Sequence, residues 1–138
     1  MAQSVFIHML KKRGLADRFK VDSAGTGVRE PGRKPHYRTF ISLKDKGIPT
    51  VDHRSKQLTN WDYVDFDYLL GMDSYNIRDM KSISGGDPEG KIHRLLDFSK
   101  FKRDVADPCN TDDYETTYRD IVPGLEGFLD YLEKQGII

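Results

Sequence analysis

The only cysteine of this 138-residue chain, Cys109, lies in RDVADPCNTDDYETTY, residues 103–118, two positions after Asp107 and just ahead of Asp112 and Asp113. A thiol becomes a nucleophile once it ionises, and a carboxyl group can hand over or accept a proton. Neighbouring carboxylates push a thiol's pKa up, so the acids around Cys109 work against it as a nucleophile. One cysteine cannot form an internal disulfide, and a reducing, cytoplasmic compartment is the expectation. His8, His36, His53 and His93 are scattered, with no pair at metal-ligand spacing. No metal and no cofactor is expected.

Position must come from the elements around these groups. MAQSVFIHMLKKRG opens the chain as an amphipathic helix, with Val5 and Met9 on one face, Phe6 and Leu10 beside them and Gly14 as a stop. RFKVDSAGTG alternates at Phe19 and Val21 and then runs into a small glycine turn, which predicts a strand of about five residues. HYRTFISLKDKG predicts a second helix. DYLLGMD, residues 67–73, is an apolar run suited to a buried parallel strand, and SYNIRDMKSI follows as a helix capped by Asp73 or Ser74. KIHRLLDF predicts another strand. Tyr114, Tyr118, Ile121, Val122, Leu125, Phe128, Leu129 and Leu132 recur at three and four, marking a closing helix of roughly 20 residues. Residues 27–35 and 98–112 are expected to be loops.

Alternating helices and strands predict one α/β domain over 1–138, a three-layer fold with a parallel sheet flanked by helices. Such a domain ordinarily starts with a strand entering the middle of its sheet, and here the first central strand is missing from the pattern. Lys plus Arg and Asp plus Glu number 22 each, a net charge of zero, which disfavours a nucleic-acid partner. No stretch approaches the ~20 apolar residues that cross a bilayer, so no membrane partner is expected, and the opening lacks the continuous apolar core of a signal peptide.

Six segments together resemble the low-molecular-weight protein tyrosine phosphatase family, in order and spacing: MAQSVFIHMLKKRGL, VDSAGTG, GIPTVDHRSKQLT, DYLLGMDSYNIRDM, VADP and YETTYRDIVPGLEGFLDYL. The resemblance implies a four-stranded parallel sheet and hydrolysis of phosphotyrosine or other aryl phosphate monoesters through a phosphocysteine. The family's nucleophile sits in a loop of the form Cys, five residues, Arg, where helix N-terminal N–H groups and the guanidinium hold phosphate. By this register the loop would lie immediately before Met1, and the chain as given is expected to be N-terminally truncated and to have little or no activity. Cys109 does not replace it: position 115 is Glu115, and the intervening residues contain no glycine and two carboxylates.

By the same resemblance Asp107, followed by Pro108, is the general acid and then the general base; alone, the pair would be read as a turn. Ser23, His53 and Asp73 are implied as supports of the phosphate loop, although taken alone such a serine more often satisfies a turn, a lone histidine is usually surface or structural, and a helix N-cap accounts for Asp73 about equally well. Val28, Arg29, Glu30, Cys109 and Asn110 would line the substrate cleft. The family carries aromatic residues near these positions, so substrate preference does not carry over. The alternatives are an inactive, phosphatase-like binding or dimerising module, pairing through strand edges left exposed, and an arsenate reductase, which a single cysteine disfavours.

Overall fold

Apolar side chains one turn apart build helix α1 (Ala2–Lys12), which buries Val5, Phe6 and Leu10. Beyond it the backbone turns left-handed at Gly14, and the Leu15 N–H reaches back to the Leu10 carbonyl at 2.8 Å. Helix α2 (Tyr37–Lys44) ends the same way at Gly47, with the Ile48 N–H on the Leu43 carbonyl. The stop at Gly14 is thus as the sequence predicts. The computed structural model describes residues 1–138, which divide into two compact units, Met1–Gln57 and Leu58–Ile138.

In the first unit the strand predicted around Phe19–Val21 does not form. A 3-10 turn, Ala16–Arg18, precedes an extended segment whose one bridge is Gly25 with Gln57. The alternation is real, since Phe19 meets Phe6 edge to face at 5.6 Å, but side chains replace a ladder: the Gln3 amide donates to the Val21 carbonyl at 3.4 Å. Periodicity reports which side chains are buried and cannot supply a neighbouring strand to pair with.

The second unit opens with helix α3 (Asn60–Asp65), started by a Thr59–Asp62 capping box that the sequence reading passed over. Strands β1 (Leu69–Gly71) and β2 (Ile92–Arg94) pair in parallel, Leu69 opposite Ile92. Helix α4 (Ser74–Ile83) connects them, and Met80 and Ile77 pack with Tyr63, Leu69 and Ile92 in one cluster. The predicted strand over 91–98 is shorter than expected, because Leu95–Phe98 turns into a 3-10 helix. That turn is what the closing helix packs on. Helix α6 (Tyr114–Lys134) presents Gly124 to Leu95 and Gly127 to the Phe98 carbonyl, a spacing that no Cβ would permit. Leu95, Leu129 and Leu132 are essentially inaccessible there, each worth about 1.5–3 kcal/mol of burial. The class is therefore α/β, a small parallel sheet flanked by helices, with two strands laddered. No helix is long and apolar enough to cross a membrane.

Candidate active site

In an open parallel sheet, side chains that meet a ligand gather at the carboxyl ends of the strands. At the end of β1 the chain passes Met72 and Asp73 before α4 begins. Asp73 is the N-cap of α4: its carboxylate accepts the Asn76 N–H at 2.7 Å, and the Asn76 side chain returns the contact to the Asp73 N–H. Asp104 closes the same helix end, accepting from the Ser74 N–H at 3.0 Å and its hydroxyl at 2.9 Å. Arg94, the last residue of β2, bonds Asp104, Asp97 and the Lys102 carbonyl. Burial alone would raise the Asp104 carboxyl; Ser74 and Arg94 outweigh that and hold it below the usual carboxylate range. With two carboxylates already on it, the α4 N-terminus is a finished cap.

The segment carrying Asp107 is fastened beside this strand end, where the Val105 N–H donates to the Met72 carbonyl at 2.9 Å. The expected loop over 98–112 contains a one-turn helix, α5 (Pro108–Thr111), which Asp107 caps and Pro108 starts. Asp107 is exposed, and its carboxylate accepts the Cys109 N–H at 2.9 Å. Cys109 is exposed too, and its thiol is pushed up first by the Asp107 charge and then by partial burial and a hydrogen bond to Asp107. A thiol so placed is protonated where a nucleophile needs to be ionised. The acid that acts on it is Asp107, ahead of the Asp112 and Asp113 that the sequence puts forward. Asn110 is exposed, with its N–H on the Asp107 carbonyl.

The remaining predicted residues lie in the first unit. The Ser23 hydroxyl donates to the Gln3 side chain at 2.5 Å, and its N–H to Asp22 at 2.8 Å. His53 Nδ1 stands 3.4 Å from the same Asp22 oxygen, and Lys56 pairs with the other. Asp22, which sequence reasoning did not single out, is therefore what brings Ser23 and His53 together. Burial works against its charge, but Lys56, the Ser23 N–H and His53 prevail, and the carboxyl sits below its ordinary range. The sequence offered one signal, its place directly before Ser23. Val28 donates its N–H to the Gln57 side chain at 2.9 Å, while Arg29 is exposed and Glu30 forms an exposed ion pair with Arg33. Ser23, His53 and these three form one set, and Asp73, Asp107, Cys109 and Asn110 another.

Chemically, the second set offers a solvent-facing carboxyl on a fastened segment, suited to proton transfer, beside a thiol unsuited to attack. Residues 1–137 match the family described as low molecular weight phosphotyrosine protein phosphatase. The low molecular weight protein-tyrosine-phosphatase YfkJ of Bacillus subtilis is 34% identical over 137 residues, covering 98% of this chain and 88% of its own. The human low molecular weight phosphotyrosine protein phosphatase is 34% identical over 135 residues, 94% of this chain and 85% of its own. The crystal structure of YfkJ superposes with a TM-score of 0.92, over 97% of this chain and 86% of that one. Drosophila arginine phosphatase, 28% identical, superposes at 0.82 over 94% and 87%. With the whole length of the chain matched and the α/β architecture shared, this protein belongs to the low molecular weight phosphotyrosine protein phosphatase family.

Proposed function

We propose that this protein hydrolyses phosphotyrosine or similar aryl phosphate monoesters, with Asp107 moving the proton. A cysteine thiolate attacks phosphorus as the bond to the phenolic oxygen breaks, and Asp107 delivers its proton to that oxygen. Water then attacks the phosphocysteine while the Asp107 carboxylate takes a proton from it. The S–P bond breaks, and thiolate and inorganic phosphate leave. What supports the reading is family membership together with the backbone bond from Val105 to Met72, which fastens the Asp107 segment at the carboxyl end of β1.

The attacking sulfur is not Cys109. No arginine stands six positions after it, and Asp107 disfavours its ionisation. These 138 residues hold no loop of the form Cys, five residues, Arg, and by themselves turn over little. Ser23, His53 and Asp73 act as supports of that loop, with Asp22 fixing the first two. Val28, Arg29, Glu30, Cys109 and Asn110 face the substrate, a phosphotyrosine protein. The compartment is the reducing cytoplasm, in keeping with a lone thiol.

Aryl phosphate hydrolysis by the 138-residue chain, by a version that includes the nucleophile loop, and by Asp107→Asn in that version tests the proposal. Turnover by the second, with the first giving little or none and the third about 10² to 10⁴-fold less, is the expected result. Undiminished turnover in Cys109→Ser of a 138-residue chain that proves active would show a different nucleophile, and full activity of Asp107→Asn would remove the acid.

A further inference from the structure

The segment that carries Asp107 is held from one face of α6. Asp120 is buried there, 5% exposed, and its carboxylate takes three hydrogen bonds. Arg103 donates two of them, from Nη2 to Oδ1 at 2.8 Å and from Nη1 to Oδ2 at 3.1 Å, and the Ala106 N–H donates the third to Oδ2 at 2.9 Å. One turn earlier on α6 the buried Thr117 hydroxyl donates to the Ala106 carbonyl at 2.7 Å. Both backbone groups of Ala106 are thus fixed by side chains of α6, and the next residue is Asp107. The far side of α5 returns to the same helix through Asp113, its N-cap, after a left-handed turn at Asp112.

A buried ion pair is weak evidence for stability, because desolvation offsets the attraction; its geometric consequence is firmer. The side-chain oxygens of Asp120 and Thr117 determine where the Ala106 peptide lies, and so where the Asp107 Cα and Cβ point. We propose that Asp120, assisted by Thr117, is a positioning residue that aims the Asp107 carboxyl at the leaving-group oxygen. The inference rests on the reading of Asp107 as the general acid. Asp120 touches no reacting atom itself.

Hydrogen exchange on the full 138-residue chain tests the anchoring without requiring turnover. In Asp120→Asn, which loses the pairing charge, and in the near-isosteric Thr117→Val, amides 104–111 exchange faster by about tenfold or more, while those of β1 and residues 121–132 keep their rates. Unchanged exchange in 104–111, or equal loosening across the unit, overturns the proposal. Should Asp120→Asn fail to fold, Thr117→Val decides it alone. In a version that turns over aryl phosphates, both variants lower kcat/KM, which reads the step that releases the phenol, and the loss grows with the pKa of the leaving phenol, since a misaimed acid matters most for a poor leaving group. A loss independent of the phenol overturns the aiming role. Wild-type turnover in Asp107→Asn would instead defeat the general-acid reading, while faster exchange in Asp120→Asn would still establish the anchor.

Discussion

Cys109 donates its backbone N–H to the carboxylate of Asp107 at 2.9 Å, so the one thiol of the chain lives under the charge of the residue two positions before it. The pair explains why this cysteine is poor at attack: the negative charge of the Asp107 carboxylate favours the protonated sulfur.

Alkylation of Cys109 reads this directly. Its rate against pH should show a thiol ionising above the ordinary range, and Asp107→Asn should bring the midpoint down and speed the reaction severalfold at neutral pH. Identical profiles in the two proteins would mean that the Asp107 charge does not reach the sulfur.

In a version with the nucleophile loop, Asp107→Asn should reduce kcat by about 10² to 10⁴-fold and leave the affinity for inorganic phosphate nearly unchanged. A parallel loss of both would make Asp107 a binding residue.

Helix α6 packs closely on the 3-10 turn at Leu95–Phe98. A Cβ on Gly127 would stand 2.0 Å from the Phe98 carbonyl oxygen, which is backbone and cannot step aside cheaply. Gly127→Ala should destabilise by about 1–3 kcal/mol, seen as a lower urea midpoint. Leu95→Ala, which empties the other side of the same contact, should cost about 2–5 kcal/mol.

Acid should weaken the fold in a defined direction. Burial works against the charges of Asp87 and Asp104, but Tyr63 and the Lys91 and Ile92 N–H groups hold the former below the usual range, and Ser74 and Arg94 the latter. Arg103 and the Ala106 N–H lower Asp120. Carboxyls that are more acidic folded than unfolded contribute stability fully above the unfolded value of about 3.9, and lose it as pH falls through the folded values. The urea midpoint should therefore be flat near neutrality and drop below about pH 4, less steeply in Asp120→Asn. A midpoint that rises on acidification would reverse the sign of these interactions.

Local chemistry was legible in the chain, and pairing was not. Helices α1 and α6 follow from apolar spacing, α2 and α4 were legible as continuous segments, and the stop at Gly14 and the cap at Asp73 follow from residues a few positions away, because a helix satisfies its own backbone. The segments of the family resemblance, Asp107-Pro108 among them, are likewise written in linear order. Whether Phe19–Val21 becomes a strand depends on a partner elsewhere, and whether 95–98 stays extended depends on the glycines of α6, so the first strand did not form and the second stops at Arg94. Asp22 and Asp120 went unnoticed for the same reason. Each owes its importance to partners brought near by folding, 31 positions on at His53 and 17 back at Arg103, and a buried carboxylate is recognisable only once the groups that satisfy it are in place.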